Sequence, residues 1–396
     1  MQETWRWFGP NDPVSLTHIR QAGATGVVTA LHHIPTGDAW PLDEILERKA
    51  LIEEQGMTWS VVESVPVHND IKTRTGQWQT HIEHYKTSLR NLGEAGITTV
   101  CYNFMPVVDW TRTNLSYVLP NESQALRFEM SDFAAYDVHI LQRKNAADDY
   151  DPEVLARAEQ RVAAMSEEEK LLLEKNIIAG LPGGDGSYDR AGIMAAIEEF
   201  IELGNEGMRA NLFAFLNEVV PVAEAAGVRL CIHPDDPPFS LFGLPRVVST
   251  ADDARALLEA VPSEANGLTL CAGSYGTRCD NDLVKMAEEF GSRIYFVHLR
   301  NVKREDDGSF YEADHLDGDN DMVGLIDQLL AEEARRKAQG LPQMDIPMRP
   351  DHGHLMADEM GQQGVNPGYS YAGRMKGLAE LRGVIHALEV VRRRAS

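Results

Sequence analysis

The sequence repeats one unit eight times: a short β-rich run, a loop, then an amphipathic helical stretch. The runs lie at 5–8, 25–31, 57–62, 97–104, 228–232, 268–270, 294–297 and 346–348. Helix-like sequence precedes several of them, as at 42–54, 77–92, 251–260 and 280–290. Strands alternating with helices build a parallel sheet, because each helical crossover carries the chain back to start the next strand in the same direction. Eight such units predict an α/β fold closed into a (β/α)8 barrel, with every strand ending on one face.

The rhythm breaks between the fourth and fifth runs. Much of that stretch is charged and helix-prone, as at 155–175, and 112–120 contains little that reads as core. It predicts a helical insertion over about 110–208 on the active-site face, where loops after strands carry function. The chain 1–396 then forms a single catalytic domain, with a separately folded insertion as the alternative. A smaller insertion after the seventh run, 303–319, is rich in Asp, Glu and Gly and predicts a mobile hairpin or lid.

A formal charge of −24 repels phosphate backbones and anionic lipids, so neither nucleic acid nor a membrane surface is an expected partner. The N-terminal segment lacks the apolar stretch of a signal peptide, and no uncharged run approaches the length of a membrane span. Four cysteines are too few for a disulfide framework in a chain of this size, which points to a reducing cytoplasm. An anionic substrate would need a local cationic patch or a metal to hold it.

Four metal-binding side chains occupy the same place in four successive units. His233 follows the run 228–232, Cys271 follows 268–270, His298 follows 294–297, and Asp351 comes just after 346–348. A parallel barrel brings these strand ends together, and imidazole, thiolate and carboxylate around one point suit a divalent transition metal. Singly, each has a structural explanation: a strand-end histidine held by hydrogen bonds, or a cysteine packed as a small apolar residue. Earlier runs also end in polar residues, His32, His33, Glu63 and Asn103, which makes them candidates for substrate contact. Thiolate with imidazole suggests zinc or iron. Four protein ligands would close a tetrahedral zinc to substrate, so an ion with an expandable shell, Mn2+ or Fe2+, is favoured.

Five segments carry a resemblance: Thr4-Trp5-Arg6-Trp7, His233-Pro234-Asp235-Asp236-Pro237-Pro238, Cys271-Ala272-Gly273-Ser274-Tyr275-Gly276, Arg349-Pro350-Asp351-His352-Gly353-His354 and Asn366-Pro367-Gly368-Tyr369. Together they resemble the mannonate dehydratase family of hexuronate (glucuronate) catabolism, over essentially the whole chain. The resemblance implies a xylose-isomerase-like TIM barrel and dehydration of D-mannonate to 2-keto-3-deoxy-D-gluconate with Mn2+ or Fe2+. It also implies His233, Cys271, His298 and Asp351 as the ligands of that ion.

Such a reaction removes a weakly acidic proton from C2 and expels hydroxide from C3, so it needs an electrophile and a positioned acid and base. His352 adjoins Asp351, and Tyr369 follows an Asn-Pro-Gly turn; these two are expected to divide the acid and base roles, with neither assigned. Arg300 and Arg349 flank the proposed ligands and could clamp a carboxylate, or could sit in surface ion pairs. Two rivals stand beside this reading: a sugar isomerase or epimerase on the same barrel, and a catalytically silent sugar-acid-binding protein. Homo-oligomerisation, as a dimer in the simplest case, stays open.

Overall fold

The computed structural model of the chain describes residues 1–108, 110–178, 190–341 and 343–395. Its strands in chain order are β1 (Gln2–Arg6), β2 (Gly26–Thr29), β3 (Thr58–Glu63), β4 (Thr99–Tyr102), β5 (Asn114–Val118), β6 (Gln124–Phe128), β7 (Arg229–Ile232), β8 (Asn266–Cys271), β9 (Ile294–His298), β10 (Asn301–Arg304), β11 (Phe310–Ala313) and β12 (Pro347–Arg349). Eight of them, β1, β2, β3, β4, β7, β8, β9 and β12, close into a parallel barrel in that order. All eight expected strands are present. The first lies slightly earlier than its apolar run, because the chain leaves the sheet after Arg6.

Barrel strands are covered on both faces, so they read as continuous apolar runs rather than alternating ones. Val28, Val61, Cys101, Cys231, Tyr295 and Phe296 form one buried cluster of strand residues. Phe296 meets the His298 ring edge-on, with centroids 4.7 Å apart, so packed side chains lie directly beneath the functional strand ends. On the outside, Tyr85 and Phe215 join two barrel helices, with ring centroids 5.1 Å apart. All four cysteines are free thiols. Among the described residues no helix is long and apolar enough to cross a membrane.

The insertion between β4 and β7 is not wholly helical, as its composition had suggested. Its β5 and β6 join β10 and β11 in a second, antiparallel sheet of order β10-β11-β6-β5. The edge strand β5 alternates exposed and half-buried residues, so it presents no apolar run to betray it. Its sheet is completed from far along the chain, where Phe310 stacks on Phe128 with centroids 5.7 Å apart. The helical stretch expected at 155–175 is two helices, Pro152–Ala164 and Glu167–Ile178. Ser166 breaks it by capping the second: its Oγ accepts the Glu169 amide at 3.2 Å while Glu169 accepts the Ser166 amide at 2.8 Å. Gly204, at φ 64° and ψ 178°, then interrupts the helical run Arg190–Ala225 near the end of the expected insertion. Residues 179–189 of that insertion lie outside the described residues.

The segment 303–319 does form a hairpin, β10–β11, but it is anchored rather than free. β11 pairs with β6, and Arg127 holds Glu305 at 2.7 Å while Arg157 holds Asp307 at 2.6 Å. Its Glu312 reaches His352 Nδ1 at 2.8 Å.

Candidate active site

A cavity of about 280 Å³ opens at the C-terminal ends of the barrel strands. His233, Cys271 and His298 converge beside it, each offering one donor atom within 4.8 Å of the others. Their protonation follows from their partners. His233 Nδ1 lies 2.7 Å from the Pro234 carbonyl, which can only accept, so this nitrogen carries the ring proton and Nε2 is bare. Burial holds the His233 ring below its ordinary value, which keeps it neutral. His298 Nε2 faces Glu63 Oε1 at 3.2 Å, which leaves its Nδ1 bare as well. Burial acts to raise the Glu63 carboxyl, but the Arg349 and Arg6 charges and the His298 ring N–H outweigh it and hold that carboxyl well below the usual range.

The two bare nitrogens face each other at 3.2 Å. Two imidazoles bound to one ion at about 2.1 Å, at angles from 90° to tetrahedral, would stand roughly 3.0–3.4 Å apart. Three lone-pair donors directed at one another without a proton between them are the donor set a divalent cation requires. Asp351 borders the group: its Oδ2 is 3.7 Å from His298 Nδ1 and 3.9 Å from Cys271 Sγ. Its backbone is left-handed, at φ 67°, a conformation that Asp tolerates better than most residues.

A second constellation sits alongside. His352 Nδ1 is 2.8 Å from both oxygens of Glu312, and its Nε2 is 3.2 Å from the Tyr369 hydroxyl. A carboxylate on Nδ1 fixes the proton there, so Nε2 is free to accept. Burial opposes ionisation of Glu312, yet His352, Arg300 and Arg112 bring its carboxyl down to about 2. Burial raises the Tyr369 hydroxyl to about 12, against the partly offsetting charges of Arg349 and Arg6.

Residues 1–395 match the family model described as D-mannonate dehydratase (UxuA). The chain belongs to the D-mannonate dehydratase family. It is 72% identical over 393 residues to the mannonate dehydratase of Saccharophagus degradans, covering 99% of each chain. It is 61% identical to mannonate dehydratase 2 of Agrobacterium fabrum, covering 98% of each. The crystal structure of mannonate dehydratase from Streptococcus suis serotype 2 superposes with a TM-score of 0.78 at 35% identity, covering 99% of this chain and 94% of that one. The chain is a hydro-lyase that dehydrates D-mannonate, and the isomerase or epimerase alternative is set aside.

The dehydratase brings most of its expected site residues to one place. His32, Glu63 and Asn103 line the cavity, as do Arg300, Arg349, His352 and Tyr369. Burial, reinforced by Arg6 and Arg48, lowers His32 to about 3, so its ring is neutral. His33 is the exception: it points outward, 56% exposed, and pairs with Glu44. Strand-end position alone did not separate it from His32, because neighbouring residues leave a strand in opposite directions.

Arg300 and Arg349 turn out differently engaged. Arg300 donates to Asp351 Oδ2 at 2.6 Å, to Glu312 Oε1 at 3.2 Å and to Asp236, which commits all three of its nitrogens. It reaches them over Gly273, where a Cβ would stand 2.3 Å from Arg300 Cγ. Arg349 donates through Nη2 to Glu63 at 3.0 Å and pairs through Nη1 with Asp351 at 2.5 Å.

Four participants were not foreseen. Arg6 ends β1 and pairs with Glu63 Oε2 at 3.2 Å, and Asp236 sits within the His233 motif. Strand-end position and motif membership could have found both. Glu312 and Arg112 come from the two insertions, where no strand register marks them. Arg112 is fully buried, 2.9 Å from Asp236 and 3.0 Å from Glu312.

Proposed function

We propose that His233, Cys271, His298 and Asp351 hold a divalent ion, Mn2+ or Fe2+, and that His352 and Tyr369 carry the proton transfers. The observation that carries this reading is the pair of bare imidazole nitrogens beside Cys271, directly next to the His352–Tyr369 hydrogen bond. When bound, the ion supplies Lewis acidity to the oxygens of the substrate's carboxylate end.

The protein's own groups do the rest. Arg349 engages the substrate carboxylate, while His32 and Asn103 face the hydroxyls along the cavity. Arg300 balances the charge of three carboxylates and holds Asp351 in place. His352 Nε2 takes the proton from C2, and Glu312 stabilises the imidazolium that results. Tyr369 gives its proton to the departing C3 hydroxyl, which leaves as water. The enol left behind ketonises to 2-keto-3-deoxy-D-gluconate, and the His352 proton returns to the Tyr369 oxygen across their 3.2 Å contact. Residues 1–396 act as one catalytic unit, with 110–208 on its active-site face.

A metal-reconstituted assay over a panel of aldonic acids tests this. Turnover should vanish with chelator, return with Mn2+, and yield a 2-keto-3-deoxy acid from mannonate. Activity indifferent to chelator would defeat the metal reading. Cys271→Ser is expected to keep the fold and lower metal affinity by on the order of tenfold or more, since even changes behind a ligand cost 10–100-fold. Unchanged metal content in that variant would remove Cys271 from the ligand set.

The pH behaviour follows from Tyr369. Its folded value, about 12, lies above the ordinary value for tyrosine. The native protein therefore keeps this proton where the unfolded chain releases it. The resulting stability is full below about pH 10 and is lost as pH rises further through the folded value. Tyr369 remains a proton donor throughout the working range. The alkaline limb of kcat/KM should accordingly have the same midpoint in the wild type and in the weakly active Tyr369→Phe. A limb near pH 8–9 that disappears in Tyr369→Phe would contradict this.

A further inference from the structure

Three hydrogen bonds lace the end of β11 and the residues just after it to the segment that follows β12. The Glu312 carboxylate accepts from His352 Nδ1 at 2.8 Å, and the Glu312 carbonyl accepts from His354 Nε2 at 2.9 Å. The third contact is made by His315, whose Nε2 lies 2.8 Å from the Pro350 carbonyl. That carbonyl belongs to the peptide bond leading into Asp351. We propose that His315 is a positioning residue for Asp351: it fixes the backbone from which this carboxylate reaches the ion, and so sets the metal affinity of the site. The inference rests on the reading of Asp351 as a ligand.

The backbone carries the argument. A carbonyl can only accept, so His315 Nε2 bears the proton of this hydrogen bond. Pro350 has no N–H of its own, so its carbonyl is the one backbone group by which that residue can be held. Asp351 leaves the shared peptide plane at φ 67°, in the left-handed region, where a residue with a Cβ stays only if its surroundings hold it there. Rotation of the plane would swing the Asp351 side chain away from His298 Nδ1 and Cys271 Sγ, which stand 3.7 Å and 3.9 Å from its Oδ2. The His315 hydrogen bond resists that rotation. Arg300 and Arg349 also hold Asp351, at 2.6 Å and 2.5 Å, but through the carboxylate oxygens that an ion needs. His315 acts on the backbone and leaves both oxygens to the ion.

His315 is itself firmly placed. It is 5% exposed, and its own carbonyl accepts from Asn301 Nδ2 at 3.1 Å. Its ring lies against the helix Tyr371–Ala395 at Gly377, where a Cβ would stand 2.1 Å from His315 Cε1. It does not line the cavity, so its effect on turnover passes through Asp351 rather than through substrate. Groups that orient a metal ligand from behind typically cost 10–100-fold in metal affinity when removed; His315 acts across one peptide bond, which places the expected loss at about tenfold.

Calorimetric titration of the metal-stripped protein with Mn2+ tests this in the wild type and in His315→Leu, His315→Asn and His315→Gln. Leucine removes the donor and asparagine is too short to reach Pro350, so both should weaken Mn2+ by about tenfold. Their kcat should recover at saturating Mn2+, because the proton-transfer groups are untouched. Glutamine can place its amide N–H where the imidazole N–H was, and its Mn2+ affinity should stay close to that of the wild type. Should His315→Leu fail to fold, the asparagine and glutamine variants decide between them. Unchanged Mn2+ affinity in the leucine and asparagine variants overturns the proposal, as does a glutamine variant weakened as much as they are, which would reduce the role of His315 to the packing of its ring. A wild type that takes up no Mn2+ overturns the metal reading itself, before any variant is compared.

Discussion

Replacing His352 by Asn is expected to lower kcat and kcat/KM together, by on the order of 10²-fold or more, with the bound metal unchanged. The reason is positional. His352 is a neighbour of Asp351 in sequence, yet its ring turns away from the His233–Cys271–His298 group and runs instead from Glu312 to Tyr369. Asparagine preserves approximate size and leaves the proposed ligands intact, but it has no basic nitrogen facing the substrate. An interaction made only in the transition state is lost, so both constants fall by a similar factor. Asp351→Asn should fail by another route: metal binding weakens, and high Mn2+ restores part of the activity. Measuring metal content and turnover on the same samples separates the two. If His352→Asn loses metal as readily as Asp351→Asn, His352 belongs to the coordination shell and the division of roles is wrong.

That division was legible in the sequence only in part. The barrel was, because strands buried on both faces advertise themselves as apolar runs, and their ends fix where functional residues can be. His233, Cys271, His298 and Asp351 could be found from register alone. Which side of the strand end a residue faces could not, so His33 was grouped with His32 although it lies on the exterior. The second sheet was hidden for a different reason. Its edge strand β5 carries no apolar run, and the outer partner of β6 lies almost two hundred residues away in the β10–β11 hairpin, as Tyr311 opposite Arg127 illustrates. Polar composition there read as mobility. The same residues form the ion pairs of the hairpin, and they include the buried Glu312 that the hairpin delivers to His352. Charged residues that serve a site from an insertion leave no periodic trace.

Arg300 gives the sharpest test of that buried network. It is 2% exposed and is the shared partner of Asp236, Glu312 and Asp351. Arg112 also reaches Asp236 and Glu312, and Arg349 reaches Asp351, so removing Arg300 leaves three buried carboxylates with two arginines. Breaking a buried ionic network from one side costs about 3–5 kcal/mol, because the orphaned charges stay desolvated. Arg300→Met should therefore lose stability on that scale at pH 7, with a melting temperature lower by roughly 5 °C for a chain of this length. The pH dependence carries the sign. Glu312 is depressed to about 2 in the native protein, so its stabilising contribution is complete above its unfolded value and lost as pH falls through the folded one. Without Arg300 the carboxyl is depressed less and accepts a proton earlier. Acid therefore relieves the variant before it harms the wild type, and the gap in melting temperature should narrow from pH 7 to about pH 4. Arg300→Lys keeps the charge but loses the planar fork that reaches three carboxylates, so it should recover only part of the stability. A residue that merely clamped substrate would behave in the opposite way, with KM raised and melting unchanged. That outcome, or a gap that widens in acid, would return Arg300 to the substrate side of the site.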